Sequence, residues 1–260
     1  MVDYIYIQTI MKSAGEIMRQ QRKDCDIYVK GKSDFVTAVD LKVQEYIFNS
    51  LREKYPWIGF IGEENSTDMD DKIENQKFQW ILDPIDGTTN YIYGYNLSAI
   101  SLALKDSDKI VWGAVYNPFT DEMFSAKRGE GAYLNGQQIN VTIKKDLSEC
   151  LVAVGTSPYY KEIAENVFRK ITEIYKQTLD IRRTGSAALD LAYVASGRQD
   201  AYFEYNLKLW DYAAGAIILE EAGGIISDVE GEKPTYVGIS NIVASCNEDI
   251  QKEILSILKS

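Results

Sequence analysis

The chain has 260 residues, of which 45% are hydrophobic, so it is long enough to form one large domain or two modest ones. Its net charge of -11 and pI of about 4.7 argue against nucleic acid or an anionic membrane as the main partner, because both require a basic surface. The sequence contains no histidine, which excludes Ser-His-Asp and Cys-His triads and histidine-ligated zinc.

Two amphipathic helices are predicted at the start of the chain. Apolar residues recur at helical spacing over residues 5–20 and again over residues 39–54. Asp40 falls in the first turn of the second helix, where a carboxylate is ordinarily just a favourable charge. Residues 57–62 then predict a strand that ends in the acidic pair Glu63 and Glu64, which could equally be an ordinary surface pair.

Residues 78–91, with the sequence FQWILDPIDGTTNY, are the most informative stretch. An apolar run that ends in Asp83-Pro84 and leads into Asp86-Gly87 predicts a buried strand that stops, turns and opens a helix. A purely structural turn stays an alternative, because Asp-Pro and Asp-Gly are common turn dipeptides. The sharper interpretation is that two carboxylates converge beside the amides of a helix N-terminus. Carboxylates next to anion-binding amides suggest Mg²⁺ and a phosphoryl oxygen.

The pattern then becomes rich in strands, and it changes again near residue 145. Strands are predicted over residues 99–104, 110–116 and 122–126, and Asn135-Gly136 indicates a tight hairpin. Beyond residue 145, strands alternate with helices, which predicts a domain of residues 1–145 and a second of residues 146–260. In the second, a strand carries Glu204 at its end, and an apolar helix follows with Asp211 as its N-cap.

Two other classes of phosphatase are excluded by spacing. Cysteine phosphatases need an arginine six positions after the cysteine, and those positions hold Gly31, Thr156 and Lys252. Aspartyl-phosphate enzymes need Asp-x-Asp-Gly-Thr, and Pro84 stands where their nucleophile should be. Hydrolysis by a metal-activated water remains, since it needs neither histidine nor a protein nucleophile.

Three blocks of sequence resemble the signatures of the inositol monophosphatase family: residues 62–64, residues 83–90 and residues 210–224. They occur in the family's order, and the likeness runs from about Asp34 to Asn247. The resemblance implies an α/β fold, namely a layered αβαβα sandwich of the sugar-phosphatase type. It also implies a phosphoric monoester hydrolase that acts on myo-inositol monophosphates, depends on Mg²⁺, is sensitive to lithium and is commonly a homodimer.

The resemblance further implies two to three Mg²⁺ ions in each active site. One ion would be held by Glu63, Asp83 and the carbonyl of Ile85. A second would be held by Asp83, Asp86 and Asp211, and a weaker third would lie near Glu63. Several carboxylates in one crevice repel each other by about 1 to 4 kcal/mol per close pair. We therefore expect the metal-free site to be strained and divalent ions to relieve the strain.

Catalytic and substrate-binding roles are implied in the same way. Thr88 with Asp40 would orient the attacking water, with Glu63 as a further catalytic residue. The phosphate and the sugar alcohol would be contacted by Asp86, Gly87, Thr88, Ala187, Glu204 and Asp211. Lys208 stands where some members of the family have histidine, so it could favour substrates with extra negative charge or be a solvated side chain.

Alternatives remain for the function. The same chemistry could act on fructose 1,6-bisphosphate or on the 2′-phosphate of NADP(H), or the chain could be a non-catalytic binding or regulatory protein on the same fold. The sequence has no stretch of roughly 18 apolar residues and no signal peptide, and its cysteines (Cys25, Cys150 and Cys246) are scattered. We therefore expect a cytoplasmic protein whose ligand is a small phosphate monoester, with no membrane or nucleic acid partner.

Overall fold

The computed structural model describes residues 2–22, 27–31, 34–64 and 76–260. Its helices are α1 (Tyr4–Gln21), α2 (Ala38–Lys54), α3 (Thr88–Tyr93), α4 (Ala164–Tyr175), α5 (Ala187–Ala195), α6 (Leu209–Glu221) and α7 (Glu248–Lys259). The strands of the first half are β1 (Ile27–Gly31), β2 (Asp34–Thr37), β3 (Gly59–Gly62), β4 (Phe78–Asp86), β5 (Ala99–Asp106), β6 (Lys109–Asn117), β7 (Glu122–Lys127), β8 (Ala132–Leu134) and β9 (Gln137–Ile139). Those of the second half are β10 (Leu151–Val154), β11 (Asp180–Arg182), β12 (Ala201–Lys208), β13 (Ile225–Ser227) and β14 (Ile239–Ser245).

Two large mixed sheets organise the molecule. The first has the order β3-β4-β5-β6-β7-β8-β9, in which only β3 and β4 are parallel. The second has the order β11-β10-β12-β14-β13, in which β10 is parallel to both of its neighbours. Because β3 and β4 run in the same direction, their carboxyl ends, which carry Glu63 and Asp83, lie at one edge of the sheet.

Five layers alternate helix and sheet, as the family resemblance implies. Helices α1 and α2 share a core with one face of the first sheet, and α5 and α6 pack between the two sheets. Helices α4 and α7 cover the outer face of the second sheet. The predicted αβαβα sandwich is therefore confirmed.

Close packing of α6 on the first sheet brings the second half of the chain to the first. A Cβ at Gly113 on β6 would lie 2.9 Å from the Cα of Ala214 on α6, so only glycine permits this approach. The apolar α6 carries Asp211 in its first turn, and the contact therefore places that carboxylate near the ends of β3 and β4. The proposed division into residues 1–145 and 146–260 separates the strands of the two sheets, and we keep it as a proposal about folding units.

Two boundaries predicted from the sequence are wrong. Strand β4 does not stop at Asp83-Pro84 but continues to Asp86, with a shift in its pairing to β5 between Asp83 and Asp86. A bulge tolerates the missing N–H of proline, so Pro84 does not end the strand. Asp211 is not the N-cap of α6, because the helix begins at Leu209 and its N-cap is Lys208.

Two further expectations from the sequence concern the cysteines and membrane-spanning helices. Cys150 and Cys246 are buried and free, as expected for small core residues, and Cys25 lies outside the described residues. In the part of the chain that the structure describes, no helix is both long and apolar enough to cross a membrane.

Candidate active site

A cavity of about 660 Å³ opens where the ends of β3 and β4 face β12 and the first turns of α5 and α6. Among the described residues, its lining includes seven carboxylates and two cations. The carboxylates are Glu63, Glu64, Asp83, Asp86, Asp190, Glu204 and Asp211, and the cations are Arg183 and Lys208. Of the residues predicted for the site, Ile85, Gly87, Thr88 and Ala187 also line this cavity. The structure thus brings together residues from all three predicted blocks.

The irregular end of β4 holds two of the carboxylates and a carbonyl in a fixed relation. The backbone N–H of Ile85 donates a hydrogen bond to Asp83 Oδ1 at 3.0 Å. The hydroxyl of Thr88, in the first turn of α3, donates to the Ile85 carbonyl at 3.1 Å. Asp83, Ile85 and Thr88 are therefore linked within one turn, which is where the sequence places two metal ligands and a water-orienting hydroxyl.

Asp86 is anchored by the N-terminus of α5, a hundred residues away in the chain. Its Oδ2 accepts hydrogen bonds from the hydroxyl of Ser186 and from the backbone N–H of Ala188, the second at 2.8 Å. Burial raises the pKa of Asp86 to about 6, although these hydrogen bonds oppose the rise. The side chain is therefore positioned before any ligand binds.

Glu63 and Asp83 lie at the neighbouring carboxyl ends of β3 and β4, and both line the cavity. Burial and then the charges of Glu63, Asp86 and Asp211 hold the pKa of Asp83 well above its usual range. The four acidic groups are therefore close enough to oppose each other's ionisation.

Asp211 completes this acidic group from α6. Its Oδ2 accepts a hydrogen bond from the backbone N–H of Lys208 at 2.6 Å, which satisfies a donor at the helix N-terminus. Burial, followed by the charges of Glu63 and Asp86, raises the pKa of Asp211 well above its ordinary value. The carboxylate is thus held by the helix start and faces the acids of the first sheet.

Asp40 is buried beside this cavity and does not line it. Its Oδ2 accepts hydrogen bonds from the N–H and the hydroxyl of Thr37, at 2.9 and 2.5 Å, whereas Oδ1 is buried with no hydrogen-bond partner among the described residues. Burial raises the pKa of Asp40 to about 6. The predicted partner Thr88 makes its hydroxyl bond to Ile85, and no direct bond to Asp40 is present among the described side chains.

Glu204 lies opposite the metal-ligand end of the cavity. Its carboxylate accepts hydrogen bonds from the hydroxyl of Tyr202 at 2.8 Å and from the N–H of Ser157 at 3.0 Å. A Cβ at Gly155 would lie 1.9 Å from the Glu204 carboxyl carbon, so the neighbouring loop needs glycine there. Burial raises the pKa of Glu204, but the charge of Arg183 opposes that rise.

Sequence reasoning missed several residues of the site. Asp190 on α5 is buried, accepts hydrogen bonds from Thr184 and Gln199, and has a pKa raised to about 8 by burial. The available signal was a single acid within the otherwise apolar run of residues 187–195. Arg183 and Gln44 left no comparable signal, because their contacts are visible only in the fold.

The donor set fits a hard divalent cation. Carboxylate and carbonyl oxygens are the ligands that Mg²⁺ prefers, and Glu63, Asp83, Ile85, Asp86 and Asp211 supply them. Within residues 2–22, 27–31, 34–64 and 76–260, no three acidic or thiol groups already form a cluster of metal-binding geometry. Metal ligands have to be deprotonated, so any protons that these carboxyl groups hold must leave when the ion binds.

Comparison with known proteins shows which proteins this chain resembles. The family model described as the inositol monophosphatase family matches residues 2–260. An inositol-1-monophosphatase from Mesorhizobium japonicum is 35% identical over 257 residues, covering 98% of this chain and 95% of that protein. The Nus factor SuhB of Escherichia coli K12 is 40% identical over 232 residues, covering 88% of this chain and 84% of that protein.

A solved structure supports the same relationship. The extragenic suppressor protein suhB from Bartonella henselae superposes with a TM-score of 0.90 at 34% identity. The match covers 99% of this chain and 98% of that one.

Proposed function

This chain belongs to the inositol monophosphatase family, and we propose that it is a Mg²⁺-dependent phosphatase that hydrolyses myo-inositol monophosphates to inositol and phosphate. Family membership supports metal-dependent hydrolysis of a small phosphate ester. The observation that carries the proposal is the meeting of Glu63, Asp83, Asp86 and Asp211 in one cavity. Asp83 and Asp86 are buried there, Glu63 and Asp211 are partly buried, and a bound cation would offset the repulsion among the four charges.

The proposed ligands are those that the family resemblance implies, and all of them line the cavity. Glu63, Asp83 and the carbonyl of Ile85 would hold one Mg²⁺, and Asp83, Asp86 and Asp211 a second, with a weaker third ion near Glu63. The Ile85 carbonyl accepts one bond from Thr88 and keeps a second lone pair for an ion. When bound, such ions lower the pKa of a water and neutralise charge on the attacking and leaving oxygens.

The proposed proton path uses two side chains of the first half. The Thr88 hydroxyl donates to Ile85, so its oxygen can accept a hydrogen bond from the attacking water and orient it. Asp40 does not line the cavity, so its Oδ1, which has no hydrogen-bond partner among the described residues, would receive the proton through a bridging water. A pKa of about 6 suits this role, because a general base works best when its pKa lies near the working pH.

The proposed substrate contacts lie on both sides of the reacting phosphate. The amides of Gly87 and Thr88, together with Asp86, would position the phosphate at the start of α3. The hydroxyl groups of the leaving alcohol would meet Glu204, Asp211 and the backbone near Ala187, and Lys208 would lie beside them. Glu204 suits this role because it is already held by Tyr202 and Ser157 and can accept a further hydrogen bond.

A panel of substrates tests the proposed specificity. With saturating Mg²⁺, we expect myo-inositol 1-phosphate to give the highest kcat/KM, ahead of fructose 1,6-bisphosphate and the 2′-phosphate of NADP(H). Li⁺ should inhibit every substrate that is turned over, because it competes at the same metal site. If inositol phosphate is inert while another ester reacts quickly, the substrate assignment is wrong and the mechanism stands.

A regulatory role is the second candidate, because relatives that are 40% identical carry the name Nus factor. Such a role would not need turnover, and it leaves open whether the acidic chain has a nucleic acid or protein partner. A homodimer and a cytoplasmic location also belong to the proposal. Light scattering of the purified protein would measure the oligomeric state.

A further inference from the structure

Arg183 is one of the two cations that line the acidic cavity among the described residues. It is exposed, and its guanidinium makes one long contact, 3.5 Å from Nη2 to the hydroxyl of Thr156. Although seven carboxylates line the cavity, none among the described residues forms an ion pair with Arg183. An arginine fork that is left unpaired beside carboxylates remains available to an anionic ligand.

The backbone around Arg183 is shaped to keep the side chain in this position. Gly185 has a positive φ of 90°, and a Cβ there would lie 2.4 Å from Arg183 Nη1. Any other residue would be strained and would push the guanidinium away. The glycine therefore serves both the backbone turn and the placement of the arginine.

The same turn connects Arg183 to the proposed reacting centre. The Gly185 carbonyl lies 3.1 Å from where a Cβ of Gly87 would be, and Asp86 is bound by Ser186 and Ala188 of the same segment. On its other side, Arg183 is close enough to lower the pKa of Glu204. The guanidinium thus lies at the rim, between the phosphate end and the alcohol end of the cavity.

The cavity also has space for more than one phosphate and a six-carbon ring. Its volume of about 660 Å³ falls within the roughly 300–1,000 Å³ of pockets that enclose drug-sized ligands. We propose that Arg183 allows the same site to accept esters with a second anionic group, and that it binds the phosphate or carboxylate that is not hydrolysed. This inference rests on the proposed phosphatase function.

Paired substrates test it. We expect Arg183→Gln to raise the KM for fructose 1,6-bisphosphate about tenfold or more, and to leave kcat and the KM for fructose 1-phosphate within about twofold of wild type. The matched control is Arg182→Gln, because Arg182 pairs with Asp180 at 2.5 Å and does not line the cavity. In that control, we expect kcat and KM to stay unchanged for both substrates.

Equal effects of Arg183→Gln on the two esters, or no effect on either, would overturn the inference. If the wild-type enzyme hydrolyses neither these two esters nor myo-inositol 1-phosphate, the proposed function fails. In that case, equilibrium binding of the bisphosphate to wild type and variant still decides the role of Arg183. Loss of bisphosphate binding in the variant alone would support it, and equal binding would reject it.

A second inference comes from Gln44, a buried glutamine on α2 that is only 6% exposed. Its Nε2 donates a hydrogen bond to the carbonyl of Glu64, and its Oε1 accepts one from the N–H of Glu64 at 3.1 Å. The side-chain amide therefore pairs with both backbone groups of one residue, Glu64, as a neighbouring strand would. Gln44 lies one helical turn after Asp40, so both face the same region.

This pairing occurs where the first sheet ends. Strand β3 is an edge strand, and its last ladder residue is Gly62, after which the N–H of Glu63 still donates to Leu82 at 3.1 Å. A Cβ at Gly62 would lie 2.3 Å from Gln44 Oε1, so glycine at this position makes room for the amide. The hydrogen bonds of Gln44 therefore fix the backbone of Glu64 where the chain leaves β3.

We infer that Gln44 is a positioning residue for the Glu63-Glu64 turn and therefore for the proposed metal site. Gln44→Glu keeps an acceptor for the Glu64 N–H but has no donor for the carbonyl, and Gln44→Leu has neither. In both variants we expect the Mg²⁺ concentration for half-maximal thermal stabilisation to rise about tenfold or more, as for other groups that orient metal ligands.

Gln251→Leu is the matched control. Gln251 is 5% exposed and donates to Ser227 at 2.8 Å and to the Val243 carbonyl at 3.1 Å, away from the cavity. We expect this control to lower Tm without moving the Mg²⁺ midpoint. If the Gln44 variants behave in the same way, the residue is only structural and the inference is wrong.

Discussion

Asp83→Asn is expected to lower kcat by about 10²- to 10⁴-fold while the protein stays folded. Asp83 is the one side chain assigned to both principal ions, and metal ions supply several kcal/mol of transition-state stabilisation, at about 1.36 kcal/mol per tenfold in rate. Asparagine keeps the size of the side chain, so the packing around this 2% exposed residue should survive. Steady-state kinetics with saturating Mg²⁺ measure the loss.

The same variant should be more stable than wild type when metal is absent. Burial and three neighbouring acids oppose the ionisation of Asp83, and a neutral amide removes that penalty. For a chain of this size, each kcal/mol gained raises Tm by about 2–4 °C. Thermal unfolding at pH 8 with EDTA should therefore show a higher Tm for the variant, a combination that general damage to the fold cannot produce.

Asp200→Asn provides the control for this pair of effects. Asp200 is also buried, at 5% exposure, but it accepts hydrogen bonds from the N–H of Leu151 at 2.8 Å and the hydroxyl of Thr142 at 2.5 Å, and it does not line the cavity. We expect a lower Tm and an unchanged kcat. An Asp83→Asn protein that keeps more than a tenth of the wild-type kcat would contradict the metal assignment.

The Asp83 variant also separates the two candidate functions. A purely regulatory protein would show little turnover as wild type, and it would keep its partner after the substitution because the fold is retained. An enzyme loses turnover with its fold intact. A protein with both functions would lose turnover and keep its partner, which shows that the two activities use different surfaces.

Local patterns in the sequence predicted most helices and strands and the turn that carries Asp83 and Asp86, whereas the order of the layers and the role of Glu63 came from the family resemblance. The segments that carry Glu63 and Asp86 each combine an apolar strand with a polar stop, and such signals depend on neighbours in the chain. Parallel pairing of β3 and β4 then brings those stops to one edge. The metal-binding role of Asp211 was predicted only from the family resemblance, because no local pattern connects α6 with β4.

Contacts between distant segments could not be predicted. Asp86 depends on Ser186 a hundred residues later, and Gln44 on the backbone of Glu64 twenty residues later. Ser186 before a helix and Gln44 within a helix are ordinary residues at those positions. No pattern in the neighbouring sequence therefore reveals their distant contacts. The continuation of β4 past Pro84 was missed for a related reason, because only pairing with β5 shows that the proline lies in a bulge.

Removal of metal should abolish activity, and Mg²⁺ should restore both activity and stability. A ligand that binds only the folded state at 100 times its Kd stabilises it by about 2.7 kcal/mol, or about 5–10 °C in Tm for a chain of this size. We therefore expect thorough EDTA treatment to remove turnover and lower Tm, and excess Mg²⁺ to reverse both. Undiminished turnover after chelation would contradict the mechanism.

The stabilisation by Mg²⁺ should grow as the pH rises. The pKa of Asp40 and that of Asp86 are raised from 3.8 to about 6 on folding, so between these values the folded chain binds more protons than the unfolded chain. The metal-free protein consequently loses stability as the pH rises from about 4 through about 6, by on the order of 3 kcal/mol per carboxyl.

Mg²⁺ requires the ionised carboxylates, so protons compete with it at pH 5 and no longer do so at pH 8. The difference in Tm between Mg²⁺-saturated and EDTA-treated protein should therefore be larger at pH 8 than at pH 5, and it should shrink at both in Asp83→Asn. A difference that is constant across this range would mean that the ion does not bind the buried carboxyl groups whose pKa values are raised. Surface carboxylates would then be the ligands of the ion, and the assignment of Glu63, Asp83, Asp86 and Asp211 as its ligands would be wrong.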